Sequence, residues 1–155
     1  MIIKYLIVFL ISMVPIIELR GAIPIAIDAY HLNIIVSLVV AIIGNMLPVP
    51  FIYLFARKIL EWGKDKKGIG RICQFFLVKG EKGGKKILKS VKNGTFVGLM
   101  LFVGIPLPGT GAWTGTLAAS ILDLDFKKTI LAVLCGVLMA GIIMLILALG
   151  FGIII

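Results

Sequence analysis

The sequence predicts an all-α integral membrane protein of two inverted repeats, each a re-entrant helical hairpin followed by one transmembrane helix. Three observations carry this expectation. Hydrophobic residues make up 61% of the 155 positions and mean hydropathy is +1.17, whereas a soluble domain runs about 45–50% apolar even with glycine counted. A core of this size cannot hide so much oily surface. The apolar segments also come in two lengths: 34–56 and 129–155 are long, but 5–17, 22–32, 96–107 and 112–122 have only 11 to 13 residues each, short of the roughly 20 a spanning helix needs. Finally, 12 of the 16 Lys and Arg fall between Arg57 and Lys92, leaving only Lys4, Arg20, Lys127 and Lys128 elsewhere. Such a cluster beside apolar spans marks a cytoplasmic loop. Its lysines do not alternate with aromatics as a nucleic-acid stacking platform requires, so no nucleic-acid partner is expected.

The first half covers residues 1–56. Its opening apolar run reaches Glu18-Leu19-Arg20-Gly21 with no A-x-A cleavage site before it, so it reads as part of the fold rather than a signal peptide. That polar break, with Pro24 beyond it, divides hairpin 5–32. Asp28, His31 and Asn33 close the hairpin, and span 34–56 follows. Within the span, Asn45 with Pro48 and Pro50 marks a kink. The linker 57–95 is rich in Gly and Lys. There Ile69, Ile72, Cys73 and Phe76 share one helical face, which predicts a short interfacial helix over 69–78 with Trp62 at headgroup level.

The second half covers residues 96–155. Pro106-Leu107-Pro108-Gly109-Thr110-Gly111 divides hairpin 96–122, because proline removes an amide donor and glycine lets the chain reverse. If 96–122 crossed the membrane, Lys127 and Lys128 would lie opposite the basic linker. If it dips in and returns, they stay beside it, as the positive-inside rule prefers. Asp123 is expected to cap the helix that follows, with Leu124 and Asp125 in its first turn; span 129–155 ends the chain. The same logic puts both termini outside and the linker inside the plasma (inner) membrane. The halves match at an offset of 90: Gly21-Ala22, Ala29 and Leu32 with Gly111-Ala112, Ala119 and Leu122. Inverted repeats with broken helices near the midplane are a transporter plan. Two spans and two hairpins make thin walls, which predicts a homodimer or higher homo-oligomer.

Candidate site residues follow from the cost of burying charge. Glu18 and Arg20 lie at a hairpin break, where a charge at membrane depth costs at least ~2.5 kcal/mol. Two positions apart, they do not face each other on a regular helix. Either they cap crosswise, Arg20 on the last carbonyls of the first arm and Glu18 on the first amides of the second, or Glu18 exchanges a proton while Arg20 grips an anion. In the second break, the free amides of Pro108-Gly109-Thr110-Gly111 and the Thr110 hydroxyl suit an anion or substrate. The alternative use of these glycines is close helix packing, since Gly111 and Gly115 form a GxxxG. Trp113 is either a cavity wall or an interfacial anchor. Asp28 and Asn45 are secondary candidates, Asp28 as a proton relay toward Glu18 or as part of a hydrated loop. Cys73 and Cys135 are far apart, and His31 is the single histidine, so neither a metal nor a cofactor is expected. The basic run Gly80 to Lys86 has the wrong spacing for a phosphate loop, and no nucleophile-and-base set points to an enzyme.

The strings Ser12-Met13-Val14-Pro15-Ile16-Ile17-Glu18-Leu19-Arg20-Gly21-Ala22-Ile23-Pro24 and Pro106-Leu107-Pro108-Gly109-Thr110-Gly111-Ala112-Trp113-Thr114-Gly115 resemble the two signatures of the putative small multidrug export protein family, itself similar to the DedA superfamily. The resemblance covers nearly the whole chain. It implies facing re-entrant hairpins and transport of polyprenyl-phosphate carriers or other lipids tied to the proton-motive force. It also implies an important acidic residue in the first hairpin, a role Glu18 fits, and arginines in the second. Here no arginine lies between Phe96 and Leu122, which leaves Arg20 as the available cation.

Overall fold

In a computed structural model describing residues 1–90 and 94–152, every regular element among the described residues is helical. Residues 91–93 of the linker and 153–155 of the predicted last span lie outside the described residues.

Helix α1 (Ile2–Met13) stops where Pro15 cannot continue it: Val14 turns extended at φ −72°, ψ 129°, the conformation favoured before proline. Helix α2 (Glu18–Pro24) then runs back along α1 and passes into a π-helical turn, Ile25–Ala29. The pair closes where the chain returns: the Asn33 amide donates to the Tyr5 hydroxyl at 3.3 Å, and the Lys4 ammonium sits 5.4 Å from the Tyr30 ring centre. Asn33 also caps the next helix, its Oδ1 accepting from Ile35 and Val36 at 3.1 Å each.

Helix α3 (Ile34–Met46) continues through a kink at Leu47-Pro48, α4 (Val49–Phe51) and a second π-helical turn, Ile52–Ala56. Together they form the 23-residue apolar stretch Ile34–Ala56, matching the predicted span and its kink. Helix α5 (Arg57–Gly63) extends it without a break.

Helix α6 (Gly70–Ser90) has 21 residues, well beyond the predicted 69–78, and lies on the protein rather than apart from it. Added Cβ atoms on Gly80 and Gly84 would meet Ile121 at 2.6 Å and Leu122 at 3.1 Å. These two glycines, which the sequence places in a Gly- and Lys-rich linker, are what let α6 approach the second helix pair.

That pair is α7 (Thr95–Gly104) and α8 (Ala112–Ile121). They pack closely at Gly115, whose added Cβ would lie 2.6 Å from Val103. Helix α9 (Phe126–Gly152) begins earlier than the predicted residue 129. The expected cap was Asp123, but Asp125 is the capping residue, its Oδ1 accepting from the Lys128 amide at 2.9 Å. The first turn therefore accommodates Lys127 and Lys128, whose long stems carry their charge away from lipid.

The two long helices run antiparallel. Leu38 meets Gly141 towards one end, while the rings of Tyr53 and Phe126 stack edge-on at 5.2 Å at the other. There the Tyr53 hydroxyl also donates to the Leu124 carbonyl. The first helix pair thus closes at one end of the molecule and the second at the opposite end.

Small residues, including Ala22, Ala26, Ala41, Ala112, Ala118 and Ala132, fill the shared core, as close helix packing in lipid requires. Only 28% and 33% of the apolar windows in the two long helices are buried. A helix at the centre of a soluble core would be covered on all sides; these turn outward residues such as Ile35, Val39, Leu138, Ile142 and Ile146. Their length exceeds what the roughly 30 Å hydrocarbon layer demands. The chain is an all-helical membrane protein with two helices suited to crossing it.

Candidate functional site

The site forms where the two helix breaks meet. In the first, Ile16 and Glu18 take positive φ angles of 79° and 52°. For a β-branched residue such as Ile16 this conformation is strained by about 1–3 kcal/mol. It carries Glu18 out of line with α1 and aims its side chain at the second break.

Glu18 is 4% exposed. Its Oε2 accepts from the Ala112 amide at 3.2 Å and its Oε1 from the Trp113 amide at 3.0 Å. These are orphan donors at the start of α8, where the helix dipole also favours negative charge. The anion cradle foreseen in the second break is therefore filled by the chain's own carboxylate. Gly111 makes this possible: its φ is 139°, and an added Cβ would lie 2.4 Å from Glu18 Oε2 and 2.7 Å from Oε1.

Arg20 serves the opposite helix end. Its Nη1 donates to the carbonyls of Leu107 at 2.8 Å and Thr110 at 3.0 Å. Its Nη2 donates to the Val103 and Ile105 carbonyls at 3.1 and 3.2 Å and to Thr110 Oγ1 at 3.1 Å. The Val103 carbonyl near the end of α7 and three carbonyls of the break that follows are thereby collected by one planar fork, a task suited to guanidinium geometry. The Thr110 hydroxyl also lies 2.8 Å from the Leu107 carbonyl, as a donor to it. In return the Trp113 indole donates to the Met13 carbonyl at 3.1 Å, capping α1.

Crosswise capping is thus present, but with a different partner from the one expected. Glu18 and Arg20 cap the arms of the other helix pair rather than their own. The physical reason is reach: the left-handed turn at Ile16 and Glu18 points both side chains across the interface. Met13, Glu18 and Arg20 on one side and Val103, Ile105, Leu107, Thr110, Ala112 and Trp113 on the other become a single polar latch.

Two hollows adjoin the latch. A polar one of about 280 Å³ is bordered by Glu18, Arg20, Pro108, Gly109 and Thr110. An apolar one of about 270 Å³ lies between Pro15, Ile52, Leu60, Phe76, Trp113 and Leu117. They share Ile16, Lys79 and Thr114. Trp113 is therefore a wall of the apolar hollow as well as a cap. Of the GxxxG glycines, Gly115 serves helix packing and Gly111 gives clearance to the carboxylate.

The secondary candidates lie elsewhere. Asp28 is exposed within the π-helical turn Ile25–Ala29 and borders neither hollow, which favours the hydrated-loop reading over a relay. Asn45 is 1% exposed, and neither its amide nitrogen nor its oxygen has a hydrogen-bond partner among the described residues; it too lies off both hollows. Lys79 was not foreseen, because the lysines of the basic linker were read as a topology signal and the predicted interfacial helix ended at residue 78. The available signal was its place one turn after Phe76, on the edge of the apolar face.

A family model described as "Putative small multi-drug export protein" matches residues 18–143, a stretch that begins at the latch carboxylate and takes in both breaks. No curated protein and no solved structure matches the chain. The matched stretch spans most of the sequence, and the chain belongs to the putative small multi-drug export protein family.

Proposed function

We propose that this protein is a DedA-like membrane transporter, not an enzyme, that moves an amphiphilic anion such as a lipid-linked phosphate, polyprenyl phosphate for example, in exchange for protons. The observation that carries the reading is the paired hollow. One compartment is walled by apolar side chains, the next by the polar latch, and the two share Ile16, Lys79 and Thr114. A molecule with an oily body and a charged end fits that division, since burying apolar area drives entry and polar groups fix orientation.

In this reading each helix pair is a re-entrant hairpin entering from its own side, and the two halves are inverted. Support comes from the antiparallel long helices and from the contact of Arg20 with Thr110, residues equivalent at the offset of 90, as mates across a central two-fold axis would be. Asp65 and the linker lie on the cytoplasmic side of the plasma membrane, His31 and both termini outside. A homodimer or higher homo-oligomer thickens the wall around each hollow.

Proton coupling follows from the latch. An ionised Glu18 accepts from both the Ala112 and Trp113 amides. A protonated one presents a hydroxyl oxygen to one of them, a weaker acceptor, and both bonds lose their charge assistance. Protonation thus loosens the break where the hairpins meet, and redocking of the carboxylate closes it. The second reading, favoured by the family's description, is export of small hydrophobic or cationic drugs, with a cation drawn to Glu18. A third, non-transport reading makes the latch purely a structural joint of a membrane assembly.

Reconstitution in liposomes separates them. Labelled polyprenyl phosphate is expected to cross faster when a pH gradient is imposed, and Glu18→Gln to abolish the response to the gradient. Movement of a cationic dye without the lipid would establish drug export instead. If neither moves, the structural reading stands.

A further inference from the structure

We infer that Lys79, rather than Arg20, is the residue that selects the charge of the transported molecule; this rests on the amphiphile-carrier reading above. Three ionisable side chains border the polar hollow: Glu18, Arg20 and Lys79. Glu18 has both oxygens engaged by the α8 amides. Arg20 has both Nη atoms engaged: their four N–H groups face the carbonyls of Val103, Ile105, Leu107 and Thr110, with Thr110 Oγ1 alongside. An anion could take those donors only by pulling them from the part-buried carbonyls of Val103 and Thr110, which uncaps the end of α7.

Lys79 has no such commitment. Its ammonium carries no hydrogen bond or ion pair among the described residues and rests 5.7 Å from the Phe75 ring centre. It is half-buried and lies against the second break, its Cε 3.6 Å from where a Cβ on Gly109 would be. It borders both hollows. A cation at the junction of an oily and a polar compartment meets the charged end of an amphiphile just as its body becomes buried, where fewer waters screen the attraction than at an exposed site. The neighbouring Gly80 seats α6 against Leu117 and Ile121, which holds the lysine stem at this junction. The ligand chemistry this selects is a single-headed anion, phosphate or carboxylate, on an apolar chain.

Trp113 lines the apolar hollow and provides the readout. In a Trp62→Phe background it is the sole tryptophan. The protein in nanodiscs is titrated with dodecyl phosphate, dodecyl maltoside and dodecyltrimethylammonium while Trp113 fluorescence is followed. Dodecyl phosphate is expected to bind tightest. Lys79→Gln is expected to weaken it by about tenfold or more, the loss of one charge-assisted hydrogen bond, and to leave the maltoside unchanged; Lys79→Arg should recover part of the loss. If Lys79→Gln binds dodecyl phosphate like the wild type, the inference fails while the carrier reading stands. If Lys79→Gln loses the maltoside as well, Lys79 is part of the scaffold and the inference also fails. Preference for the trimethylammonium overturns anion selection and favours cationic drug export. Binding of no amphiphile by the wild type overturns the carrier reading together with the inference.

Discussion

Replacing Gly111 by alanine should matter chiefly because of Glu18, and that dependence can be measured. The added methyl would lie 2.4 and 2.7 Å from the two carboxylate oxygens, far inside contact distance, so the carboxylate has to leave the start of α8. The amides of Ala112 and Trp113 then lose their acceptors. Two buried donors left unsatisfied cost about 2–6 kcal/mol, partly offset because a desolvated charge is released, which leaves about 2–4 kcal/mol. The alanine backbone at φ 139° adds about 1–3 kcal/mol of strain. Glu18→Ala alone loses the same two acceptors. Gly111→Ala placed on top of Glu18→Ala therefore adds only the strain. The double-mutant cycle should show a coupling of about 2–4 kcal/mol. Unfolding in mixed micelles of mild detergent and dodecyl sulfate, followed by Trp113 fluorescence in a Trp62→Phe background, gives the four stabilities. Additivity within about 0.5 kcal/mol, the behaviour of independent sites, would refute the seating of the carboxylate against Gly111.

Three further outcomes are expected. Asn45→Leu should stabilise the protein by about 1–3 kcal/mol in the same unfolding assay, because it removes a buried amide that has no partner among the described residues; destabilisation would mean that the amide is satisfied in the membrane. Asn33→Ala should cost about 0.5–2 kcal/mol by uncapping Ile35 and Val36, with Asn33→Asp retaining most of the stability. In a cysteine-free background, His31→Cys should react with an impermeant maleimide added to intact cells and Asp65→Cys only after lysis; the reverse pattern would invert the proposed topology.

Composition made the membrane setting plain, and proline and glycine located both breaks. The span 34–56 was legible to the residue because its ends coincide with a capping asparagine and a change to basic residues. The start of α9 was not, since Lys127 and Lys128 look like loop until Asp125 is seen to cap them. Helix α6 was half legible: its apolar positions to Phe76 follow a helical period, but beyond them contact is made by Gly80 and Gly84, which leave no hydrophobic trace. For Glu18 and Arg20 the sequence supplied the motive, a charge that must be compensated at depth, and even the type of solution. It could not supply the partners, which lie about ninety residues away and, the Thr110 hydroxyl apart, are backbone groups. Any residue has an amide or a carbonyl, so nothing in the letters at Ala112 or Val103 marks them as the acceptor's and donor's counterparts. Lys79 was hidden for a different reason, one lysine among many in a charged linker.

The latch between the two breaks underlies the fold and the proposed transport alike. Its most direct test is nitrogen-edited NMR of the protein in nanodiscs, reading the amide protons of Ala112 and Trp113 in the wild type and in Glu18→Gln. The account predicts downfield resonances that are protected from exchange in the wild type, and their upfield shift with loss of protection at one or both positions in the variant. Rapidly exchanging amides that do not respond to the substitution would contradict it.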